Sequence, residues 1–274
     1  MESVLTQTKV TVNSINVLVR DSETNSVPVL LLHGSPDTGE MWLPLIERLG
    51  DRVRSIAPDL PGFGATPMPG NFELTLENFA DFIRDLLVAL EITEPVVVVG
   101  TDFGGHYGLA FAVKYPELVR GVAISNTNFS RTYEWHSFAK LYRMPLLGEF
   151  LVAGSSKPII AKSLKNFAPA LPDDYIDKSY AAGFGSPSVR KAILRMYRGR
   201  DSKDFIGWDD QLTALLAHKP SIVLWGDTDP FITPDFADRF GAAQVHHFTE
   251  NSHWLPLEAP DQYAQKLIAW LETL

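Results

Sequence analysis

The sequence contains no cysteine, which removes disulfide frameworks and thiolate chemistry from consideration. It is also short of cations: 24 lysines and arginines stand against 33 acidic residues, a formal charge of −9. A nucleic-acid partner would call for a basic stripe, and none is present. The one basic concentration, Arg190, Lys191, Arg195, Arg198, Arg200 and Lys203, is interleaved at helical spacing with Ile193, Leu194 and Tyr197, the pattern of a solvated helix face. Long apolar runs are missing too. Nothing approaches the roughly 20 residues that cross a bilayer, and Met1-Glu2-Ser3-Val4 has neither the basic start nor the apolar stretch of a signal peptide. These absences predict a cytoplasmic protein with no nucleic-acid or membrane partner. What is present is a globular composition, 45% apolar over 274 residues, suited to one large α/β domain carrying an insertion.

Strand and helix signals alternate along most of the chain. Lys9 to Arg20 alternates apolar and polar residues about Asn13-Ser14, as an opening hairpin at a sheet edge would. Val29-Leu30-Leu31-Leu32 predicts a buried strand ending in His33-Gly34-Ser35-Pro36, with a short helix over Met41 to Leu49. Arg54-Ser55-Ile56-Ala57 leads into the loop Pro58-Asp59-Leu60-Pro61-Gly62-Phe63-Gly64. Thr75 is placed to cap a helix on which Phe79, Ile83, Leu86, Leu87 and Leu90 recur at helical spacing. Further strands are predicted at Val96–Val99, Val119–Ser125, Ser221–Trp225 and Val245–Phe248. From about Asn126 to Asp210 helical patterns take over, broken by Pro145, Pro158, Pro169, Pro172 and Pro187. The prediction is an α/β sandwich with a largely parallel sheet: a core of residues 1–126 and 211–274, and a helical cap, 127–210, inserted after the sixth strand.

The most informative stretch runs from Val96 to Gly105. A four-valine strand buried on both faces enters the turn Gly100-Thr101-Asp102-Phe103-Gly104, and Gly108 to Val113 continues as a helix. This is the setting of a nucleophile elbow, which presents its central residue on a tight strand-to-helix turn between glycines. Here the central residue is Asp102. A carboxylate with an ordinary pKa of about 3.9 is ionised at neutral pH, so it attacks without first surrendering a proton.

Ligands of open α/β sheets sit beyond the carboxyl ends of the strands. Three such ends carry Asp102, then Asp229 in Gly226-Asp227-Thr228-Asp229-Pro230, then His253 in Asn251-Ser252-His253-Trp254. Nucleophile, acid, histidine is the chain order of the hydrolase triad. Asp227 is a rival acid, but the three-residue step from Gly226 favours Asp229. His246 and His247 fall inside a strand and read as structural, His33 as a brace for its loop, and Trp42, Trp225 and Trp270 as core.

With these pieces, the His33 and Asp59 loops, and Ser125-Asn126-Thr127, the chain resembles α/β-hydrolases of the haloalkane dehalogenase and epoxide hydrolase group. The resemblance covers essentially the whole length outside parts of the cap. It implies the α/β-hydrolase fold with a mostly parallel eight-stranded sheet, no cofactor or metal, and a small apolar organic substrate cleaved with water. Asp102 would form an alkyl ester, which water activated by His253, oriented by Asp229, would then hydrolyse. By the same resemblance the backbone N–H groups of Ser35 and Phe103 form the oxyanion hole.

Dehalogenases of this group stabilise halide with N–H donors, usually a tryptophan after the nucleophile and an asparagine or second tryptophan. Here Phe103 has no side-chain donor and Ser35 stands where many have asparagine, leaving Trp135 as a candidate indole. Epoxide hydrolases use two cap tyrosines, for which Tyr133, Tyr142, Tyr175, Tyr180 and Tyr197 are available; Tyr142, Tyr180 and the elbow neighbour His106 join Trp135 as leaving-group or substrate candidates. Dehalogenase-like hydrolysis is the expected activity, on the likeness of Asp102–Gly105, Ser125–Thr127 and Tyr180–Phe184. Epoxide hydrolysis is the alternative. A non-catalytic ligand-binding homologue, or a serine hydrolase whose nucleophile has been replaced, are the readings from outside this chemistry.

Overall fold

The computed structural model describes residues 5–274, so the Met1–Val4 reading lies outside the described residues. The hairpin β1 (Thr6–Val12) and β2 (Ile15–Asp21) turns at Asn13 and Ser14, both at positive φ, and is followed by β3 (Pro28–Leu32), α1 (Leu43–Leu49) and β4 (Arg54–Pro58). Helix α2 (Leu76–Ala89) starts at Thr75, whose side chain accepts from the Asn78 N–H. Next come β5 (Val96–Thr101), α3 (Asp102–Lys114) and β6 (Val119–Ser125). Five helices follow: α4 (Ser137–Arg143), α5 (Leu147–Ala153), α6 (Lys157–Phe167), α7 (Asp173–Phe184) and α8 (Pro187–Arg198). The chain closes with α9 (Trp208–Leu216), β7 (Ser221–Gly226), α10 (Asp235–Arg239), β8 (Gln244–Phe248), α11 (Leu255–Glu258) and α12 (Pro260–Leu271).

The eight strands form one sheet in the order β1-β2-β4-β3-β5-β6-β7-β8. β2 pairs antiparallel with both β1 and β4, and every pair from β4 to β8 is parallel. Alternation of side chains across each strand builds two cores. Val96 and Val98 pack on the side of α2 and α3, with Leu30, Leu32, Val122, Ile124, Val223 and Trp225. Val97 and Val99 face the other way, with Val29, Leu31, Ala123, Ile222, Leu224 and the α1 and α12 residues Leu45, Leu267 and Trp270. A continuous apolar run such as Val96–Val99 therefore marks a strand covered on both faces.

Among the described residues there is no strand between β6 and β7, and α4, α6, α7 and α8 border the same cavity as Asp102, which directly follows the carboxyl end of β5. The boundary at residue 210 falls inside α9, whose buried Leu212, Leu215 and Leu216 belong to the α3-side core. No helix among the described residues is long and apolar enough to cross a membrane.

Candidate active site

Asp102 is the first residue of α3, directly after β5, with φ of +49°. A left-handed conformation costs a non-glycine residue on the order of 1–3 kcal/mol, so it persists only where its surroundings hold it. Here the Asp102 N–H donates to Asn126 O at 3.1 Å and the Thr127 hydroxyl donates to Asp102 O at 2.6 Å. Two glycines make room. A Cβ at Gly104 would overlap the carbonyls of Leu32 and His33, and one at Gly34 would overlap the Asp102 side chain itself.

The Ser35 N–H donates to Asp102 Oδ1 at 2.7 Å. Burial pushes the Asp102 carboxyl up, but His253 and the backbone N–H groups of Ser35 and Phe103 prevail and hold it below the usual carboxylate range. His253 Nε2 lies 3.6 Å from Asp102 Oδ2, and its Nδ1 lies 2.7 Å from Asp229 Oδ2. Burial acts to lower the His253 pKa; the two flanking carboxylates, Asp229 first, overcome it and raise it. Asp229 is itself fixed. The N–H groups of Phe231 and Ile232 donate to its Oδ1 at 2.7 and 3.1 Å, and the Asn126 amide donates to its Oδ2 at 2.9 Å. Asp227 turns away and pairs with His247 Nδ1 at 2.6 Å.

His33 sits behind the oxyanion loop. Its Nδ1 lies 2.7 Å from Gly34 O, and its Nε2 accepts from the Leu60 N–H at 2.8 Å, so both nitrogens are used in joining two loops. Desolvation pushes its pKa down to about 4, leaving it neutral.

Above Asp102 and His253 is a cavity of about 120 Å³. Its apolar wall includes Phe138, Phe167, Phe184 and Phe231, and no lysine or arginine lines it. Of the five tyrosines, Tyr142 and Tyr197 line it, with ring centroids 5.5 Å apart and neither hydroxyl bonded to another described residue. Tyr133 instead donates to Phe231 O at 3.3 Å, and Tyr175 to Asp37.

Three expected contributors are not in the wall. Tyr180 stacks on Phe184 at 6.5 Å, and of the two only Phe184 lines the cavity. Trp135 stacks on Phe103 at 6.1 Å and meets Tyr197 edge-on at 5.7 Å, and of the two only Tyr197 lines the cavity. His106 is buried between Phe103 and Phe205, both ring nitrogens unpartnered, and desolvation lowers its pKa to about 3. One helical turn after Asp102, it points into the α3-side core.

His136 and Trp254 line the cavity without having been expected there. His136 Nδ1 accepts from the Ala139 N–H at 3.3 Å, which places the ring proton on Nε2, and burial keeps the ring neutral with a pKa of about 4. Its only sequence signal was a position before a helical run. Among the described residues no group of three or more histidines and carboxylates is arranged to hold a metal.

A mostly parallel sheet with an acid on the elbow between β5 and α3, and a histidine–carboxylate pair beyond β7 and β8, defines an α/β-hydrolase. The family model for the alpha/beta hydrolase family matches residues 29–266, and the chain belongs to that family. Among curated proteins it is similar to a cis-3-alkyl-4-alkyloxetan-2-one decarboxylase of Shewanella oneidensis, 27% identical over 88% of this chain and 80% of that one. A haloalkane dehalogenase of Mesorhizobium japonicum is likewise 27% identical, over 89% and 84%. In fold it matches the haloalkane dehalogenase DatA of Agrobacterium tumefaciens, with a TM-score of 0.83 and 23% identity over 98% of this chain and 96% of that chain. The epoxide hydrolase CorEH matches with a TM-score of 0.83 at 18% identity, over 98% of this chain and 99% of that chain.

Proposed function

We propose that this chain is a dehalogenase-like hydrolase that cleaves a carbon–halogen bond of a small neutral substrate through an ester on Asp102, with 127–210 as its cap. The observation that carries the reading is the line from Asp102 Oδ2 to His253 Nε2 to Asp229 Oδ2, at 3.6 and 2.7 Å, at the floor of an apolar cavity. In the first step a carboxylate oxygen of Asp102 attacks the carbon and halide leaves with the bonding electrons. Ester formation cancels the Asp102 charge, which removes one of the two carboxylates raising the His253 pKa, so the imidazolium gives its proton to solvent more readily and the neutral ring can then accept one. Water then gives a proton to His253 Nε2 and attacks the ester carbonyl, whose oxyanion faces the Ser35 and Phe103 N–H groups. The tetrahedral intermediate collapses, His253 passes its proton to the departing alkoxide so that alcohol leaves, and the Asp102 carboxyl releases the water's second proton to solvent, which restores the carboxylate.

The cavity bears on the substrate. At about 120 Å³ it is smaller than the roughly 150 Å³ cavity that holds benzene. No lysine or arginine lines it and the Asp102 carboxylate would repel a substrate carboxylate, which favours haloalkanes over halo-acids. Donors for the departing halide are the Tyr142 and Tyr197 hydroxyls and the His136 Nε2–H.

Epoxide opening is the second reading, favoured by those same two unpartnered phenols, which resemble the pair of acids an opening alkoxide needs. The test is intact mass of His253→Ala after exposure to 1-bromobutane, 1-chlorobutane and 1,2-epoxybutane. Without its base the enzyme should stall as the ester. A butyl adduct on Asp102 with halide release supports the first reading, and a hydroxybutyl adduct from the epoxide alone supports the second. No adduct from any of them, with no product from the unmodified protein, sinks both.

A further inference from the structure

We propose that Asp37 is a positioning residue whose buried carboxylate fastens helix α7 to the loop carrying His253, and so sets the base for ester hydrolysis. The inference rests on the reading of Asp102 as an ester-forming nucleophile. Asp37 lies two residues beyond Ser35 and is 4% exposed. No lysine, arginine or histidine forms an ion pair with it among the described residues. Its partners are three neutral donors from two distant segments. Oδ1 accepts from the Tyr175 hydroxyl and, at 3.5 Å, from Ser179, one turn further along α7. Oδ2 accepts from the Trp254 indole N–H at 3.2 Å. One side chain thus joins the oxyanion loop, the helix over the site and the residue after His253.

The chemistry of the three donors selects a carboxylate. Only an ionised acid offers two acceptor oxygens and no hydrogen of its own. Asparagine would turn its amide hydrogens on one of these donors, and an apolar residue would leave all three unpaired. Burial without a cation raises the Asp37 pKa to about 6, against the hydrogen bonds of Tyr175 and Trp254, so the group is charged at neutral pH.

Trp254 is the lever. It walls the cavity, meets the His253 ring edge-on at 5.1 Å and packs against Phe231 at 6.0 Å. Its backbone is anchored locally, with Glu258 accepting from the Ser252 and Trp254 N–H groups at 3.0 and 3.2 Å. That leaves the indole contact with Asp37 to fix the ring, and through it the side of His253 that faces the ester. Ester formation needs only Asp102 and a seated substrate; ester hydrolysis needs His253 in line with a water. The second step should therefore feel the loss of Asp37 more than the first.

The experiment is single-turnover kinetics with rapid quench and intact mass, using 1-bromobutane, on the full chain and on Asp37→Asn, Asp37→Glu, Trp254→Phe and Tyr175→Phe, with His253→Ala alongside. Asp37→Asn should slow ester breakdown about ten- to a hundredfold while changing ester formation by less than about threefold, and Trp254→Phe should slow breakdown on the same scale, the scale on which a displaced catalytic group is felt. Ester should accumulate in both, and Asp37→Glu should recover part of the loss. Tyr175→Phe should act mainly on KM, by freeing α7. Trp254→Phe keeps an aromatic ring at this position but loses the indole N–H together with part of the packing volume, and it reports even if Asp37→Asn does not fold. Ester on His253→Ala, but with Trp254→Phe breaking its ester down at the rate of the unmodified protein, or Asp37→Asn losing both steps in proportion, overturns the role of Asp37 alone. No ester on His253→Ala with any electrophile overturns the nucleophile reading, and the positioning role with it.

Discussion

Asn126 donates its side-chain amide to Oδ2 of Asp229 at 2.9 Å, the same oxygen that holds His253 Nδ1 at 2.7 Å. Asn126 also clasps the backbone of Gly226, accepting from its N–H at 3.0 Å and donating to its carbonyl at 3.1 Å. The residue after β6 is therefore the support of the acid after β7. Asn126→Ala leaves the buried Gly226 groups without this partner and Asp229 with one donor fewer. The expected loss of stability is about 1–3 kcal/mol in urea unfolding, with slower ester hydrolysis. Unchanged stability would show that water replaces the amide without cost.

His253 should titrate lower once Asp102 is neutral. Two carboxylates raise its pKa in the free protein, and Asp102→Asn, which carries the neutral charge of the ester, removes one of them. The imidazolium loses a stabilising partner, so the pKa must fall and not rise. Nitrogen-15 chemical shifts of His253 against pH in the two proteins read this directly. A value unmoved by Asp102→Asn would refute the coupling between ester formation and base release.

Substitution of the cavity phenols separates the two leaving-group readings. Tyr142→Phe and Tyr197→Phe should lower epoxide turnover about 10²- to 10⁴-fold if the hydroxyls protonate an alkoxide. Haloalkane turnover should fall far less, since halide leaves without a proton. Tyr180→Phe, outside the cavity wall, should leave both rates near those of the unmodified protein.

Gly34→Ala should abolish ester formation. The added methyl would occupy the space of the Asp102 side chain, on the one residue whose displacement stops the chemistry. Overpacking of this kind costs about 1–3 kcal/mol of stability, which a domain of this size should survive folded. Circular dichroism alongside the adduct assay tests both parts, and a labelled Gly34→Ala would contradict the close packing.

The Asp37 carboxyl should tilt the stability profile in acid. Burial raises its pKa from 3.8 to about 6, with Tyr175, Trp254, Asp102 and His253 around it. The native state then binds this proton more tightly than the unfolded chain, so stability from this group is full below about pH 4 and declines as pH rises to about 6. Relative to Asp37→Asn, the unmodified protein should lose about 2–3 kcal/mol across that window and none above it. Parallel profiles of the two proteins would count against a raised pKa.

How much was legible in the sequence depended on how local the encoding was. Val96–Val99, Val29–Leu32 and Ser221–Trp225 announced strands buried on both faces, because alternation across a strand puts every side chain into one of two cores. Thr75 announced a helix start through a hydrogen bond three residues away. The elbow around Asp102 was readable for the same reason: strand, glycine, turn and helix follow one another without a gap. The division at residue 210 rested on texture alone, and it falls within α9, whose apolar face packs with the α3-side core.

The cavity wall was not legible. Trp135, Tyr180 and His106 carried suitable donors, yet each turns its ring into packing, while Tyr142, Tyr197 and His136 line the cavity that Asp102 also lines. Sequence periodicity tells which residues of a helix share a side; it does not tell which neighbour that side meets. The chain by itself determined the sheet, the elbow and the residues competing for the chemistry, since those follow from adjacent residues and strand ends. Only the tertiary structure decided which donors enter the cavity, that Asn126 supports Asp229, and that Asp37 spans from α7 to Trp254, because each depends on segments between 103 and 217 residues apart meeting at a single point.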